Sequence, residues 1–190
     1  MEAVSLAEAL TVRGAILDGH FRLSSGRHSD RFIQKFRILE DPAIVESIAK
    51  TLAARVRPLA PTVVVSAAVG GIVLGYEVAR QLGLKAIFVE KENGVAALRR
   101  GFALDASDRP FIVEDVVTTG GSVREVLAVV RARGAEPVAV GVIVRRAPSD
   151  FGLETFALLD LPVVSYDPAA CPQCARDEAI SEPGSRFLAK

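Results

Sequence analysis

Residues 111–122 have the sequence FIVEDVVTTGGS, in which a continuous apolar run leads into a polar, glycine-rich loop. The run that begins at Phe111 predicts a buried strand, which would carry Glu114 and Asp115 to its carboxyl end. Two adjacent carboxylates there can accept hydrogen bonds from vicinal hydroxyls. The Thr/Gly/Ser run predicts a helix N-terminus, whose amides can bind a phosphate. The stretch therefore predicts a site for a group such as ribose 5-phosphate; the alternative is an ordinary tight turn beside solvated acids.

Further apolar runs surround this stretch. Strands are predicted at 62–65, 85–89, 110–113 and 138–144, because runs that are apolar at every position are typical of parallel strands covered on both faces. Helices are predicted at 72–82 and 122–133, and the second has a capping-box spacing at Ser122 and Glu125. The alternation predicts an α/β fold with a mainly parallel central sheet, whose ligands bind beyond the carboxyl ends of the strands.

The first sixty residues lack the continuous apolar runs of the core. A helix is predicted to end near Gly19, and the Ser- and Arg-rich stretch from there to Lys35 predicts loop and short strand. A second helix is predicted to begin at Pro42, the first helical position, and to end at Pro58. These residues and the last thirty are expected to pack onto the α/β core.

Composition places the chain among ordinary globular proteins. Half of its 190 residues are apolar and the formal net charge is zero, so nothing global predicts nucleic acid or an anionic membrane as a partner. No apolar run is long enough to span a bilayer, and the N-terminus lacks the pattern of a secretory signal. We expect a cytoplasmic protein with a single domain over residues 1–190, in which segments 1–60 and 161–190 flank a core at 61–160.

The stretch at 111–122 resembles the signature of type I phosphoribosyltransferases that binds 5-phosphoribosyl-1-pyrophosphate (PRPP). Other stretches are similar to orotate phosphoribosyltransferases, notably the branch found in Thermus-like bacteria and archaea. They are GHFRLSSGRHS (19–29), GGIVLGYEVAR (70–80), FVEKE (88–92), LRRGF (98–102), YDP (166–168), CPQC (171–174) and PGSR (183–186). The resemblance implies the type I fold with a small hood formed by the N- and C-terminal segments, transfer of phosphoribosyl from PRPP to orotate with Mg²⁺, and a homodimer.

The resemblance also implies roles for individual residues. The PRPP contacts would be Ala68, Gly70, Lys91, Glu114, Asp115, Thr118, Thr119, Gly120, Gly121 and Ser122. The orotate contacts would be Ser25, Gly26, Arg27, Phe32, Thr118 and Arg146. The catalytic groups would be Lys91, Arg99, Arg100 and Asp115, and Mg²⁺ would be held mainly by PRPP and water rather than directly by the protein.

Several of these residues have a plainer interpretation. The glycines at 70–71 can form a tight turn, Lys91 can be a solvated lysine, and Phe32 can belong to the core. Arg146 suits the orotate carboxylate because a guanidinium pairs with a carboxylate through two parallel hydrogen bonds. Arg145 stands where the family often has aspartate, so either arginine is a candidate.

Two alternative functions stay open. A purine phosphoribosyltransferase would keep the PRPP site, although a neutral purine offers no carboxylate to Arg146. A regulator that binds PRPP without turnover is left open by two departures from the family. The segment between Asn93 and Phe102, predicted as a short mobile loop, lacks the common Lys-x-x-Lys-x-His pattern, and Ser24 replaces a frequent lysine. The zero net charge and the lack of an obvious DNA-binding element disfavour a regulator.

The chain has two histidines and two cysteines. His20 and His28 have no metal-ligand partner at a useful spacing, so surface or loop positions are expected. Cys171 and Cys174 can supply half of a four-thiolate zinc site that a second subunit completes. A lone CxxC falls short of a full ligand set, so unligated thiols are the favoured expectation.

Overall fold

The computed structural model describes residues 6–23 and 25–183, which divide into two units. The larger unit is Leu39–Leu161, and the described residues of the smaller unit lie within Met1–Ile38 and Pro162–Lys190, so that both ends of the chain contribute to it. Ser24 and positions 184–186 of the PGSR stretch lie outside the described residues.

The helices and strands have the following bounds. The α-helices are α1 (Leu6–Val12), α2 (Phe36–Leu39), α3 (Pro42–Val56), α4 (Gly70–Leu82) and α5 (Gly121–Arg131). Short 3₁₀ turns occupy Arg57–Leu59, Pro168–Ala170 and Cys174–Arg176. The strands are β1 (Ile16–Arg22), β2 (His28–Ile33), β3 (Val63–Ala67), β4 (Lys85–Glu92), β5 (Val95–Leu98), β6 (Pro110–Val117), β7 (Ala139–Arg145) and β8 (Thr155–Asp160).

The larger unit is built on one sheet with the strand order β5-β4-β3-β6-β7-β8. All neighbouring strands are parallel except β5, which runs antiparallel to β4. The predicted α/β class, its mainly parallel sheet and the four predicted core strands are therefore confirmed. The structure adds β5 and β8, which the apolar runs did not predict.

Apolar side chains cover both faces of this sheet. Val63 and Val65 pack in one buried cluster with Val123 and Leu127 of α5. On the other face α4 lies close to β3, since a Cβ added at Gly75 would stand 2.9 Å from the hydroxyl of Ser66. Alternation along a strand places successive side chains on opposite faces, which is why an unbroken apolar strand fills both layers.

The direction of chain connection reverses between β3 and β6. β3 leads through α4 to β4 on one side of the sheet order, whereas β6 leads through α5 to β7 on the other. In open α/β sheets a ligand binds outside the carboxyl ends of the strands at such a switch point. The topology therefore places a binding crevice where β3 and β6 end.

Of the two helices predicted in the first sixty residues, one is confirmed and the other ends earlier than predicted. The helix predicted from Pro42 is confirmed as α3, and Asp41 caps it by accepting hydrogen bonds from the amides of Ala43 and Ile44. The first helix was predicted to end near Gly19, which is wrong. α1 ends at Val12, the next turn contains Gly14 at φ +67°, and the chain then enters β1.

The smaller unit contains an antiparallel hairpin of β1 and β2 with an irregular register between Asp18 and Phe21. The C-terminal segment pairs with both strands of this hairpin. Tyr166 forms an antiparallel bridge with His28, and Ser181 a parallel bridge with Phe21. Across the described residues, no helix is sufficiently long and apolar to cross a membrane.

Candidate active site

The strands on either side of the switch point each lead into a helix. A two-residue connection at 68–69 joins β3 to α4, and the peptide bond between Ala68 and Val69 is cis. Residues 118–120 join β6 to α5. Neither helix has a side-chain cap, so the first-turn amides, including that of Gly70, have no side-chain acceptor and can serve an anionic ligand.

The loop before α5 opens into a cavity of about 230 Å³. Pockets for drug-sized ligands measure about 300–1,000 Å³, so this cavity suits a smaller group such as a sugar phosphate. Its lining comprises Lys91, Glu114, Val116, Val117, Thr118, Thr119, Gly120, Gly121, Ser122, Val123 and Glu125. Every residue of the predicted phosphate loop, from Thr118 to Ser122, therefore lines the cavity.

Gly120 fixes the shape of the phosphate loop. It is the residue before α5 and has φ +80°, a conformation that L side chains rarely adopt. A Cβ there would stand 2.8 Å from the ring of Phe151 and 3.0 Å from Nη1 of Arg124. Arg124 donates to the carbonyl of Thr119 at 2.6 Å and lies over the Phe151 ring. The capping box predicted at Ser122 and Glu125 is wrong, because the helix begins at a glycine without a side-chain cap.

The two adjacent acids of β6 have different surroundings. Glu114 is buried and lines the cavity, and its Oε1 accepts a hydrogen bond from the amide of Asp115 at 3.1 Å. Asp115 is buried outside that lining, and its Oδ1 accepts from the amide of Val116 at 2.6 Å. Because side chains alternate along a strand, only one of the two carboxylates reaches the cavity directly.

Lys91 lies at the rim of the cavity on β4. Its ammonium group pairs with Glu125 of α5 at 2.8 Å, and its side chain is more than half exposed. A cation is therefore held beside the phosphate loop by a surface ion pair, a type of contact that contributes only about 0–1 kcal/mol. Such a pair can exchange its carboxylate for a ligand phosphate at little cost.

The segment between Asn93 and Phe102, predicted as a mobile loop, contains β5, the second strand of a hairpin. Asn93 at φ +51° and Gly94 at φ +83° make the turn between β4 and β5. Arg99 pairs with Glu92 at 3.0 Å, and Arg100 pairs with Glu90 through two hydrogen bonds of 2.8 and 3.0 Å. The guanidinium of Arg100 holds the pKa of Glu90 below its ordinary value. Both arginines lie outside the cavity lining.

The two arginines at the end of β7, Arg145 within the strand and Arg146 directly after it, differ sharply in their surroundings. Arg145 already has an acidic partner, since Nε and Nη2 donate to the two carboxylate oxygens of Asp160 at 2.6 and 3.0 Å. Arg146 is partly buried, its Nε has no hydrogen-bond partner among the described residues, and burial lowers the pKa of its guanidinium. A desolvated guanidinium with an open donor favours an anionic partner.

Comparison with known proteins agrees with this geometry. Residues 36–151 match the phosphoribosyl transferase domain model. The orotate phosphoribosyltransferase of Pelotomaculum thermopropionicum is 49% identical over 92% of this chain and 93% of its own length. That of Desulforamulus reducens is 43% identical over 99% of this chain and all of its own length.

The chain belongs to the orotate phosphoribosyltransferase family. The crystal structure of orotate phosphoribosyltransferase from Aeropyrum pernix is 28% identical and aligns with a TM-score of 0.68 over 80% of this chain and 92% of that one. The predicted family, fold and enzyme class are thereby confirmed. Orotate phosphoribosyltransferases use PRPP and orotate, and phosphoribosyltransferases generally use Mg²⁺ with PRPP.

The orotate contacts predicted in the N-terminal part lie in the smaller unit. Ser25 is exposed, and Gly26 has φ +81° in the hairpin turn. Arg27 donates to the hydroxyl and the carbonyl of Ser165 at 2.9 and 2.6 Å. Phe32 is half-buried, with its ring 5.8 Å from that of Phe21. That these four residues contact orotate stays a prediction.

Sequence reasoning misplaced the histidines. His20 and His28 are buried, at 5% and 7% exposure, rather than at the surface. They lie beside Cys171 and Cys174, which no spacing in the sequence could reveal because the pairs are far apart in the chain. Two other features were missed. The Asn93-Gly94 pair is a strong hairpin signal that predicts β5, whereas no local pattern indicates that Arg124 supports the phosphate loop.

Proposed function

We propose that this protein transfers the 5-phosphoribosyl group from PRPP to orotate, giving orotidine 5′-monophosphate and pyrophosphate. The observation that carries the proposal is the cavity at the switch point, whose lining combines the open N-terminus of α5 with Glu114. Phosphate and diol recognition within one small cavity is what a ribose 5-phosphate requires.

The residues of the phosphate loop have distinct proposed roles. The amides of Gly121 and Ser122 and the hydroxyls of Thr118 and Thr119 bind the 5-phosphate, at the positive end of the α5 dipole. Glu114 accepts hydrogen bonds from the ribose hydroxyls. Asp115, held by the amide of Val116, shares this role after a small movement of the strand end. The α4 N-terminus, with Ala68 and Gly70, binds the pyrophosphate.

The cavity also suits Mg²⁺, because its polar lining offers oxygen donors from Glu114 and from threonine and serine hydroxyls. Mg²⁺ usually keeps several waters and is bound through few carboxylates plus substrate phosphates, so we propose that Glu114 holds the ion through water. The ion supplies charge neutralisation of the pyrophosphate.

Catalysis in this proposal is positioning and electrostatics. N1 of orotate forms a bond to C1′ of PRPP while the bond from C1′ to the pyrophosphate oxygen breaks, and pyrophosphate leaves with the electron pair. Lys91 exchanges Glu125 for the departing pyrophosphate, and Arg99 and Arg100 leave their surface ion pairs to do the same. Groups that meet developing charge lower the barrier most when they are held in place beforehand.

Arg146 is the proposed partner of the orotate carboxylate. Support comes from the contrast with Arg145, which is already paired with Asp160, whereas Arg146 keeps an open buried donor. The N-terminal contacts of Ser25, Gly26, Arg27 and Phe32, the second contact of Thr118 and the homodimer remain proposals that rest on family resemblance. The cytoplasmic location remains a proposal that rests on the sequence pattern.

The first test is pyrophosphate release with PRPP and Mg²⁺, measured with orotate, with each purine base and with no base. We expect release with orotate only. Release with a purine alone would overturn the base assignment and keep the PRPP site. Binding of PRPP with no release for any base would support the regulator.

The second test separates the two arginines. Arg146→Gln is expected to raise the KM for orotate about 10–100-fold, the value of a hydrogen bond to a charged group, with little change in the affinity for PRPP. Arg145→Gln is the matched control, since it removes an adjacent guanidinium that already has a partner. Equal effects of the two substitutions would contradict the assignment.

A further inference from the structure

One face of the β1–β2 hairpin in the smaller unit carries both histidines of the chain. His20 lies on β1 and His28 on β2, and their rings pack edge to face with centroids 5.0 Å apart. Nε2 of His20 is 3.1 Å from Nδ1 of His28. Two nitrogen donors are thus presented together within a buried part of this unit.

The C-terminal segment brings both cysteines to these rings. It is anchored at one end by the paired backbones of Tyr166 and His28, and at the other by the hydrogen bond from the amide of Ser181 to the carbonyl of His20. Between the anchors, the CPQC turn is closed by the amide of Ala175, which donates to the carbonyl of Cys171 at 3.1 Å. The thiols therefore sit over the hairpin because the backbone holds them there.

Four of the six separations among the donor atoms are close to those of a tetrahedral metal site. Cys171 Sγ lies 3.5 Å from His20 Nε2, and Cys174 Sγ lies 3.7 Å from the same atom and 3.2 Å from His28 Nδ1. All four donor atoms fall within 4.8 Å of one another. With Zn–N bonds of about 2.0–2.1 Å and Zn–S bonds of about 2.3 Å, neighbouring ligand atoms stand about 3.3 Å (N to N) and about 3.6 Å (N to S) apart.

Hydrogen bonding alone does not account for this cluster. His20 Nδ1 is 2.8 Å from the carbonyl of Glu178, so that nitrogen carries the proton and Nε2 presents its lone pair to the cluster. The single lone pair of His20 Nε2 cannot accept a full hydrogen bond from each of the three neighbouring atoms, which are His28 Nδ1 and the sulfur atoms of Cys171 and Cys174. A cation at the centre would satisfy all four groups, and a carbonyl behind a ligating histidine is the usual outer partner of such a site.

We propose that His20, His28, Cys171 and Cys174 bind a structural Zn²⁺ ion. Two thiolates and two imidazoles in tetrahedral array suit Zn²⁺, whereas Mg²⁺ and Ca²⁺ require oxygen ligands and iron–sulfur clusters usually require more thiolates. The four protein ligands leave no open position for a substrate, so the ion is structural rather than catalytic. Gln173 supports the turn by donating to the carbonyl of Gly19 at 3.1 Å.

The proposed ion ties together the two ends of the chain. His20 and Cys171 are 151 positions apart, so the metal would close a very long loop, and metal binding of this kind is coupled to folding. The ligands belong to the smaller unit and include none of the proposed PRPP contacts. The site therefore does not depend on the proposed reaction, and its tests do not require activity.

The direct test is metal analysis of tag-free protein purified without chelator. We expect one Zn²⁺ per chain. After chelation and addition of Co²⁺, we expect the ligand-field absorption of tetrahedral cobalt together with a thiolate-to-cobalt charge-transfer band. The second band is decisive, because only cysteine ligation produces it and a surface site of carboxylates would not.

Variants then assign the ligands. Cys174→Ser and His28→Gln are each expected to weaken Co²⁺ binding by more than about 100-fold, beyond the loss that an outer-shell partner causes. Arg176→Ala is the matched control in the same turn, since it removes only the exposed pair with Glu178, and its Co²⁺ spectrum should be unchanged. Folding of each variant is checked by circular dichroism.

Three results would overturn the proposal. The first is wild-type protein without bound metal that gives no tetrahedral cobalt spectrum when Co²⁺ is added. The second is a folded Cys174→Ser variant that binds Co²⁺ as tightly as the wild type. The third is a Cys171–Cys174 disulfide in the purified chain that, once reduced, still binds no Co²⁺.

Discussion

The two units gather their polar groups in opposite ways. In the larger unit, the phosphate loop (Thr118 to Ser122) follows the acids Glu114 and Asp115 in one unbroken stretch, and its shape follows from its own backbone and the start of α5. In the smaller unit, the His/Cys cluster (His20, His28, Cys171 and Cys174) joins side chains from both ends of the chain. A contiguous site fails when its local backbone is changed, whereas an assembled site fails when distant segments separate.

Metal removal should break the assembled site first and give the largest effect. Chelation of the proposed zinc is expected to speed amide exchange in residues 16–33 and 166–181 by several orders of magnitude, because structural zinc contributes on the order of 10 kcal/mol in small zinc domains. Exchange in β6 and α5 should change far less. Hydrogen exchange with mass spectrometry, read segment by segment, measures both. If β6 and α5 lost as much protection from exchange as the smaller unit, the distinction between an assembled and a contiguous site would be wrong.

The contiguous site should respond to a single added methyl group. Gly120→Ala is expected to lower the free energy of unfolding by about 2–4 kcal/mol, because alanine is strained at φ +80° and its Cβ would clash with Phe151. Gly121→Ala is the control, since its Cβ meets only the Thr119 hydroxyl at 3.8 Å. Urea unfolding of both variants gives the comparison, and equal destabilisation would contradict the role of Gly120.

Loss of a single charge in the cavity should cost activity rather than stability. Glu114→Gln is expected to lower kcat/KM for pyrophosphate release about 100-fold, the value of hydrogen bonds between a charged acceptor and the ribose hydroxyls. Glu125→Gln is the control at the same cavity, where the carboxylate only pairs with Lys91; its effect should stay below about 10-fold. An unchanged kcat/KM in the Glu114→Gln variant would show that the ribose binds elsewhere.

The smallest effect is expected at the β4–β5 hairpin. Arg100→Ala should leave the midpoint of urea unfolding almost unchanged, because the pair with Glu90 lies at the surface. A clear drop in kcat without loss of stability would then support its role at the departing pyrophosphate. Arg99→Ala, which removes the neighbouring exposed pair with Glu92, shows whether the two arginines share that role.

Sequence patterns predicted the larger unit well because its features are local. Continuous apolar runs predict the strands, and the phosphate loop lies within the same stretch, residues 111–122, whose sequence predicts it. The failures were also local. The 122–125 spacing predicted a capping box, but the N-cap residue of α5 is Gly120, which has no side chain, and Glu125 pairs with Lys91 instead. At the N-terminus, apolar residues before Gly19 fitted a helical period, but pairing with β2 drew residues 16–22 into a strand.

The sequence by itself determined the α/β class, the order of the core strands along the chain, the family, and the stretch that forms the phosphate loop, since each depends on residues within a few positions of one another. Tertiary structure alone decided which acid of β6 lines the cavity, which arginine at the end of β7 keeps an open donor, and where the histidines meet the cysteines. Those outcomes depend on side-chain direction and on pairing between distant segments, and the period of a local pattern contains neither.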